Sequence, residues 1–115
     1  MNYLDKFKLS GKVTFVTGGV GLIGTEVTKA LADAGGKVVI LDIDEEKSNE
    51  LIISLKKESK DVEFEEFDVT ELDKIDSAIA ALKSKYGRIN VWVNAAYPRT
   101  ADWGSKVEDL SLESW

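Results

Sequence analysis

The sequence contains no cysteine and no histidine, and its single proline is Pro98. Without cysteine there is no disulfide, no thiolate nucleophile and no zinc–thiolate site, and a cytoplasmic setting follows by default. Without histidine, Ser-His-Asp and Cys-His catalysis and the common zinc sites are excluded. Any catalysis has to come from carboxylates, Lys, Tyr, Ser or a bound cofactor. Long apolar runs are also missing: none approaches the ~20 residues that cross a bilayer. The opening MNYLDKFKL lacks the apolar core of a secretory signal. Basic charge is in deficit, with 15 Lys+Arg against 21 Asp+Glu and a net charge of −6. That balance argues against a nucleic-acid partner and against an anionic membrane, both of which want a basic patch.

What is present describes one globular domain over residues 1–115. Its 43% hydrophobic and 31% charged content can bury a core and does not suit a disordered chain. After Ser10-Gly11, Val13–Thr17 reads as a strand. Leu22–Ala34 reads as a helix with Ile23, Val27, Ala30, Leu31 and Ala34 on one face, stopped by Gly35-Gly36. Val38–Leu41 is a continuous apolar run, the pattern of a strand covered on both faces. Glu45–Ser59 is a charged helix with a stripe at Leu51, Ile52 and Leu55. In Val62–Phe67 the alternation sets Val62, Phe64 and Phe67 against Glu63 and Glu65. Asp68 and Thr70 then open a helix carrying Leu72, Ile75, Ile79, Leu82 and Tyr86 at steps of three and four, ended by Gly87. Ile89–Val93 is a fourth strand. Residues 95–115 read as a loop, a short helix and the start of another.

Alternation of strand and helix, with crossovers long enough for parallel pairing, predicts an α/β doubly wound parallel sheet. The expected strand order is 3-2-1-4, the first half of a dinucleotide-binding (Rossmann) fold, here truncated.

Between the first strand and the first helix lies VTFVTGGVGLIGTEV, residues 13–27, with four glycines. Gly19-Val20-Gly21-Leu22-Ile23-Gly24 fits G-x-G-x-x-G in the context that gives the pattern meaning. One glycine permits the tight turn, one lets backbone approach a pyrophosphate, and one lets helix and strand pack closely. The helix N-terminus adds free N–H groups and partial positive charge. A tight turn without ligand is the bland alternative.

Asp42 closes the second strand 18 residues after Gly24, near the spacing of an acid that accepts the adenosine ribose hydroxyls. It would repel a 2′-phosphate, and no Arg or Lys in the glycine loop or directly after Asp42 would welcome one. NAD is therefore favoured over NADP. Capping the next helix is the alternative role for Asp42, although Asp44 stands closer to Glu45. Asp68, closing the third strand, could accept from an adenine amino group; with Thr70 it equally suits a helix cap.

Taken in order, LSGKVTFVTGGVGLIG, LDID, FDVT and VNAAY resemble the short-chain dehydrogenase/reductase family over residues 9–115. The resemblance implies that the loop Thr17, Gly18, Gly19, Gly21, Leu22, Ile23 and Gly24 holds the pyrophosphate. It also implies that Asp42, with its neighbour Ile43, sets nucleotide preference and that Asp68-Val69 contacts adenine. Asn94, Ala95 and Ala96 map onto the family's Asn-Asn-Ala-Gly segment at the nicotinamide side. Leu22 stands where the best-known subgroup has glycine. Ala95 and Tyr97 replace the second Asn and the Gly, so Tyr97 is expected to line or crowd the pocket near the nicotinamide. The run AAYPR followed by DWG is similar to members acting on surface-glycan or flagellin-glycan sugars. Tyr97, Arg99 and Trp103 either line the substrate edge or pack the loop.

The family's chemistry needs Ser, Tyr-x-x-x-Lys and an assisting Asn. Four residues after Tyr3, Tyr86 and Tyr97 stand Phe7, Asn90 and Ala101, so no Tyr-x-x-x-Lys occurs. No catalytic or metal-ligating residue is therefore assigned. The expectation is a cofactor-binding half that holds dinucleotide weakly and catalyses nothing by itself. A P-loop reading fails because Thr25 follows Gly24 where Lys is required. A receiver domain fails because Thr17-Gly18-Gly19 stands where acids should. The remaining alternative is a non-catalytic nucleotide-binding or interaction module. Strand four, with Trp92, is expected at a sheet edge that favours a homo-oligomer, unless Trp92 simply packs in the core.

Overall fold

A computed structural model describes residues 2–97 and 106–112. Its sheet has four parallel strands: β1 (Val13–Thr17), β2 (Lys37–Asp42), β3 (Val62–Glu66) and β4 (Val91–Asn94). The order is β3-β2-β1-β4, as the alternation predicts. Three helices connect them: α1 (Leu22–Asp33), α2 (Glu45–Lys57) and α3 (Ile75–Tyr86). A short 3-10 helix at Tyr3–Phe7 precedes the sheet.

The apolar runs of β1 and β2 exist because both faces are covered. Val16, Val38, Ile40 and Val62 pack under Ala32 of α1 and Leu51, Ile52 and Leu55 of α2. Val13, Phe15, Val39 and Leu41 pack on the other face with Phe67 and Leu82 of α3. Trp92 lies in this second layer, stacked on Phe15 at 5.8 Å and edge-on to Phe67 at 5.8 Å. It is half-buried and packs against this cluster. Phe67 falls opposite Val62 and Phe64, contrary to the alternation expected for it, because it follows the end of β3 on the Glu63/Glu65 parity.

Three local expectations are corrected. On α1 the buried residues are Gly24, Thr28 and Ala32, while Ile23 is 71% exposed. Gly24 must face the turn before the helix, and that fixes the helical phase. The third helix begins at Ile75, after a 3-10 turn at Leu72–Lys74, so Thr70 caps nothing. Asp68 Oδ1 accepts from the Thr70 N–H at 2.9 Å and from its hydroxyl at 2.6 Å, a local turn that competes with helix initiation. Strand four starts at Val91 because the Asn90 side chain accepts the Val13 N–H at 2.9 Å, taking the place of a ladder carbonyl. Elsewhere the signals hold. Asp44 caps α2 through the Lys47 N–H at 2.9 Å, and Gly87 ends α3 with φ +78°.

Among the described residues one buried side-chain polar group is unsatisfied. Ser48 on α2 is fully buried and its hydroxyl has no hydrogen-bond partner. A hydroxyl left in that state costs about 1–3 kcal/mol of desolvation. Ser48→Ala is expected to stabilise the protein, with a higher denaturant midpoint at unchanged slope in urea unfolding.

Candidate functional site

In a parallel sheet all strand ends of one kind share an edge. Thr17, Asp42, Glu66 and Asn94 thus end β1–β4 along one rim, where the glycine loop and the start of α1 also lie. Gly18 takes φ +65°, a left-handed conformation that strains any side chain. A Cβ there would also come within 2.7 Å of the Ala96 Cα. A Cβ on Gly24 would overlap the Gly18 carbonyl oxygen, and one on Gly19 would meet Ile40 Cγ2 at 2.9 Å. These glycines let three pieces of backbone pack at the end of β1.

The loop is held from several directions. Gly18 N–H donates to the Leu41 carbonyl at 2.7 Å, and Gly21 N–H to the Gly18 carbonyl at 3.0 Å. The buried Thr28 hydroxyl donates to the Gly19 carbonyl at 3.0 Å. Sequence reasoning missed Thr28, although its position four residues after Gly24 puts it on the same helix face. Thr17, assigned to the loop, is buried; its hydroxyl oxygen accepts from the Ala95 and Ala96 N–H groups, each at 3.2 Å. It therefore ties the end of β1 to the chain after β4. Asn94 is exposed, and its Oδ1 accepts from Trp92 Nε1 at 2.7 Å.

Asp42 serves both neighbours of the rim. Oδ2 accepts from the Val20 N–H at 3.3 Å, whereas Oδ1 accepts from the Ile43 and Asp44 N–H groups at 2.8 and 3.0 Å. The carboxylate is thus part of the glycine loop's own support, a role the spacing alone did not suggest. It does not cap α2, which Asp44 does.

A cleft of about 240 Å³ brings together Gly18, Asp42, Ile43, Asp68, Val69 and Ala96, and Tyr97 lines it as well. Tyr97 therefore lines the same cleft as the two carboxylates and as Gly18 and Ala96. Of the assigned residues, Leu22 and Ile23 are exposed on the first turn of α1, at 93% and 71%, outside the cleft lining. A larger hollow of about 310 Å³ adjoins the cleft beside α3 and shares Phe67 and Asp68 with it. Its one lysine, Lys74, is paired with Glu71 at 2.7 Å, so it offers an anion little.

The rim suits a dinucleotide on chemical grounds. No side chain caps α1 at Gly21, and the first N–H groups of a helix have no intrahelical acceptor. A Cβ at Gly21 would meet only the Gly18 carbonyl oxygen, at 3.3 Å, so the surface above it is open for a phosphate. The carboxylates of Asp42 and Asp68 line one cleft and can accept hydrogen bonds from hydroxyl or amino donors. Tyr86 does not line this cleft. Its phenol donates to Glu65 at 3.0 Å, and burial followed by that carboxylate pushes its pKa up. That is the opposite of a tyrosine activated by a lysine, although Lys85 also pairs with Glu65. Among the described residues no cluster of three or more His, Cys, Asp or Glu could hold a metal ion. None of their helices is long and apolar enough to cross a membrane.

Residues 12–115 match the family model described as short chain dehydrogenase. The chain belongs to the short-chain dehydrogenase/reductase family. Short-chain dehydrogenase reductase 3a of Arabidopsis thaliana is 34% identical over 112 residues, which are 97% of this chain and 42% of that protein. The crystal structure of gox2181 superposes with a TM-score of 0.83 at 32% identity, covering 99% of this chain and 44% of that one. A gluconate 5-dehydrogenase from Burkholderia cenocepacia, solved in complex with NADP and tartrate, gives a TM-score of 0.74 at 31% identity, covering 94% and 43%. The chain spans between 39% and 42% of the length of the first curated relatives it matches. The family is one of NAD(P)-dependent oxidoreductases, and the sheet order and flanking helices here are those of its solved members.

The Thr70 hydroxyl, and then the Thr70 N–H, hold the Asp68 carboxyl below the usual aspartate range. A depressed pKa contributes stability above the unfolded value that is lost as pH falls through the folded one. The turn at Asp68–Glu71 is therefore expected to loosen in acid. Thr70→Val should move the Asp68 midpoint upward in an NMR carboxyl titration, and an unmoved midpoint would contradict this origin of the shift.

Proposed function

We propose that residues 1–115 form one NAD(P)-binding domain, the dinucleotide-binding portion of a short-chain dehydrogenase/reductase. The whole enzyme would move hydride between NAD(P) and an alcohol or ketone, with a cytoplasmic location. A sugar is the substrate class suggested by AAYPR and DWG. The observation that carries the reading is the uncapped start of α1 beside a glycine turn whose Val20 N–H is held by Asp42.

When bound, the dinucleotide supplies the hydride chemistry. The chain's own residues position it. The N–H groups of Leu22, Ile23 and Gly24 face the pyrophosphate from the helix start. Asp42 accepts the ribose hydroxyls while supporting the loop, with Ile43 beside it. Asp68 and Val69 border the adenine, and the Asn94–Ala96 backbone, pinned by Thr17, closes the opposite wall. A 2′-phosphate would bring a second negative charge against Asp42, so NAD is the preferred form. Like-charge juxtaposition costs several kcal/mol in a desolvated site. Calorimetric titration of the 115-residue chain should give NAD binding at least about tenfold tighter than NADP, and Asp42→Asn should narrow that gap. Equal affinity for both forms would remove Asp42 as the selector, and no binding of either would sink the reading of the rim.

The same reading includes a homo-oligomer. Among the described residues strand β4 pairs only with β1, and an edge of this kind suits pairing with a second copy. Light scattering of the purified chain is expected to give a dimer or larger at high concentration; a persistent monomer would discard this contact.

A further inference from the structure

We propose that Tyr97 is a nucleotide-binding residue whose ring stacks on the purine base in the carboxylate-lined cleft. The inference rests on the dinucleotide reading and deepens it. Within the cleft the other aromatic side chain, Phe67, is 8% exposed and Tyr97 is 60% exposed. The remaining lining is backbone, short polar groups and aliphatic surface, including the exposed Ile43. Asp42 and Asp68 can accept hydrogen bonds from a nucleoside, but a carboxylate offers no face to a flat heteroaromatic ring. Tyr97 offers one, and a tyrosine gives large contact area with only two side-chain torsions to fix.

Its placement is also prepared by the backbone. Ala95 N–H donates to the Thr17 carbonyl at 3.1 Å, and the Thr17 hydroxyl oxygen accepts from Ala95 and Ala96. Ala96 is packed so closely on Gly18 that a Cβ there would sit 2.7 Å from its Cα. The side chain at position 97 thus projects from the residue after a segment fixed to the glycine loop itself. One hydrogen-bonded segment thus joins the loop to the residue before the ring, which would keep a phosphate on the loop and a base on the ring in a set relation. Fixing a contact group before binding lowers the ordering cost of the complex.

The test is calorimetric titration of the 115-residue chain and its Tyr97→Ala and Tyr97→Phe variants with AMP and with nicotinamide mononucleotide. Stacking predicts AMP binding weakened about five- to tenfold in Tyr97→Ala. Tyr97→Phe should stay within about twofold of the parent, and the mononucleotide without a purine should be indifferent to both changes. The purine H2 and H8 resonances of AMP should shift upfield on binding to the parent, as expected of protons over a ring face, and lose that shift with Tyr97→Ala. Equal or tighter AMP binding by Tyr97→Ala overturns the stacking role and leaves the dinucleotide reading standing. A parent chain that binds neither AMP nor NAD overturns both.

Discussion

Helix α1 begins against the carbonyl oxygen of the turn that precedes it, and nothing larger than a hydrogen at Gly24 permits that approach. Much of the rim follows from this contact. It brings the first turn of the helix up to Gly18, which itself occupies left-handed backbone against Ala96. It also sets the rotation of α1, so that Thr28 and Ala32 face the sheet and Thr28 can hold the Gly19 carbonyl. The exposed first-turn leucine and isoleucine are the other side of the same constraint. Their faces are turned outward because the inward face has been given to glycine.

Around that contact the charges are arranged economically. The chain carries a net −6, yet the rim pairs its acids with backbone donors. Asp42 takes three N–H groups and Asp68 takes the N–H and hydroxyl of Thr70. Carboxylates satisfied in this way are fixed in direction. Lysines are engaged elsewhere, with Lys37 joined to Glu63 at 2.6 Å and Lys60 to Asp33 at 3.4 Å. Among the described residues, the helix start with its free peptide groups is an element of the rim that suits an anion.

The sheet order and the glycine turn were legible because they rest on strong, local signals. Apolar runs without alternation mark strands covered twice, and glycine clustering between a strand and a helix has few physical uses. Asp44 as the α2 cap was equally readable. What was not legible depends on side chains that compete with regular hydrogen bonding. Asn90 replaces a strand carbonyl, and Asp68 diverts Thr70 from a cap into a turn; neither leaves a periodic trace. The face of α1 was misjudged for a related reason. Hydropathy weighs Ile23 above Gly24, whereas the close approach to Gly18 rewards the absence of a side chain. At the site, Asp42 stands out by its spacing from Gly24, but the loop-supporting bond from Val20 to Asp42 and the meeting of Tyr97 with both acids in one cleft required three dimensions.

The two hydrogen bonds into the Thr17 hydroxyl oxygen join residues 78 and 79 positions apart. Contacts of such separation form late, after the loop-closure cost has been met by other pairings. The β1–β2 pair, with its helix, can assemble from the first third of the chain, but the far wall of the cleft cannot. During synthesis the glycine turn would therefore exist for a time with one side open to water. The rim becomes a cleft only when the strand carrying Asn94 docks. In this fold the closing of the cleft would then follow the pairing of the first strands.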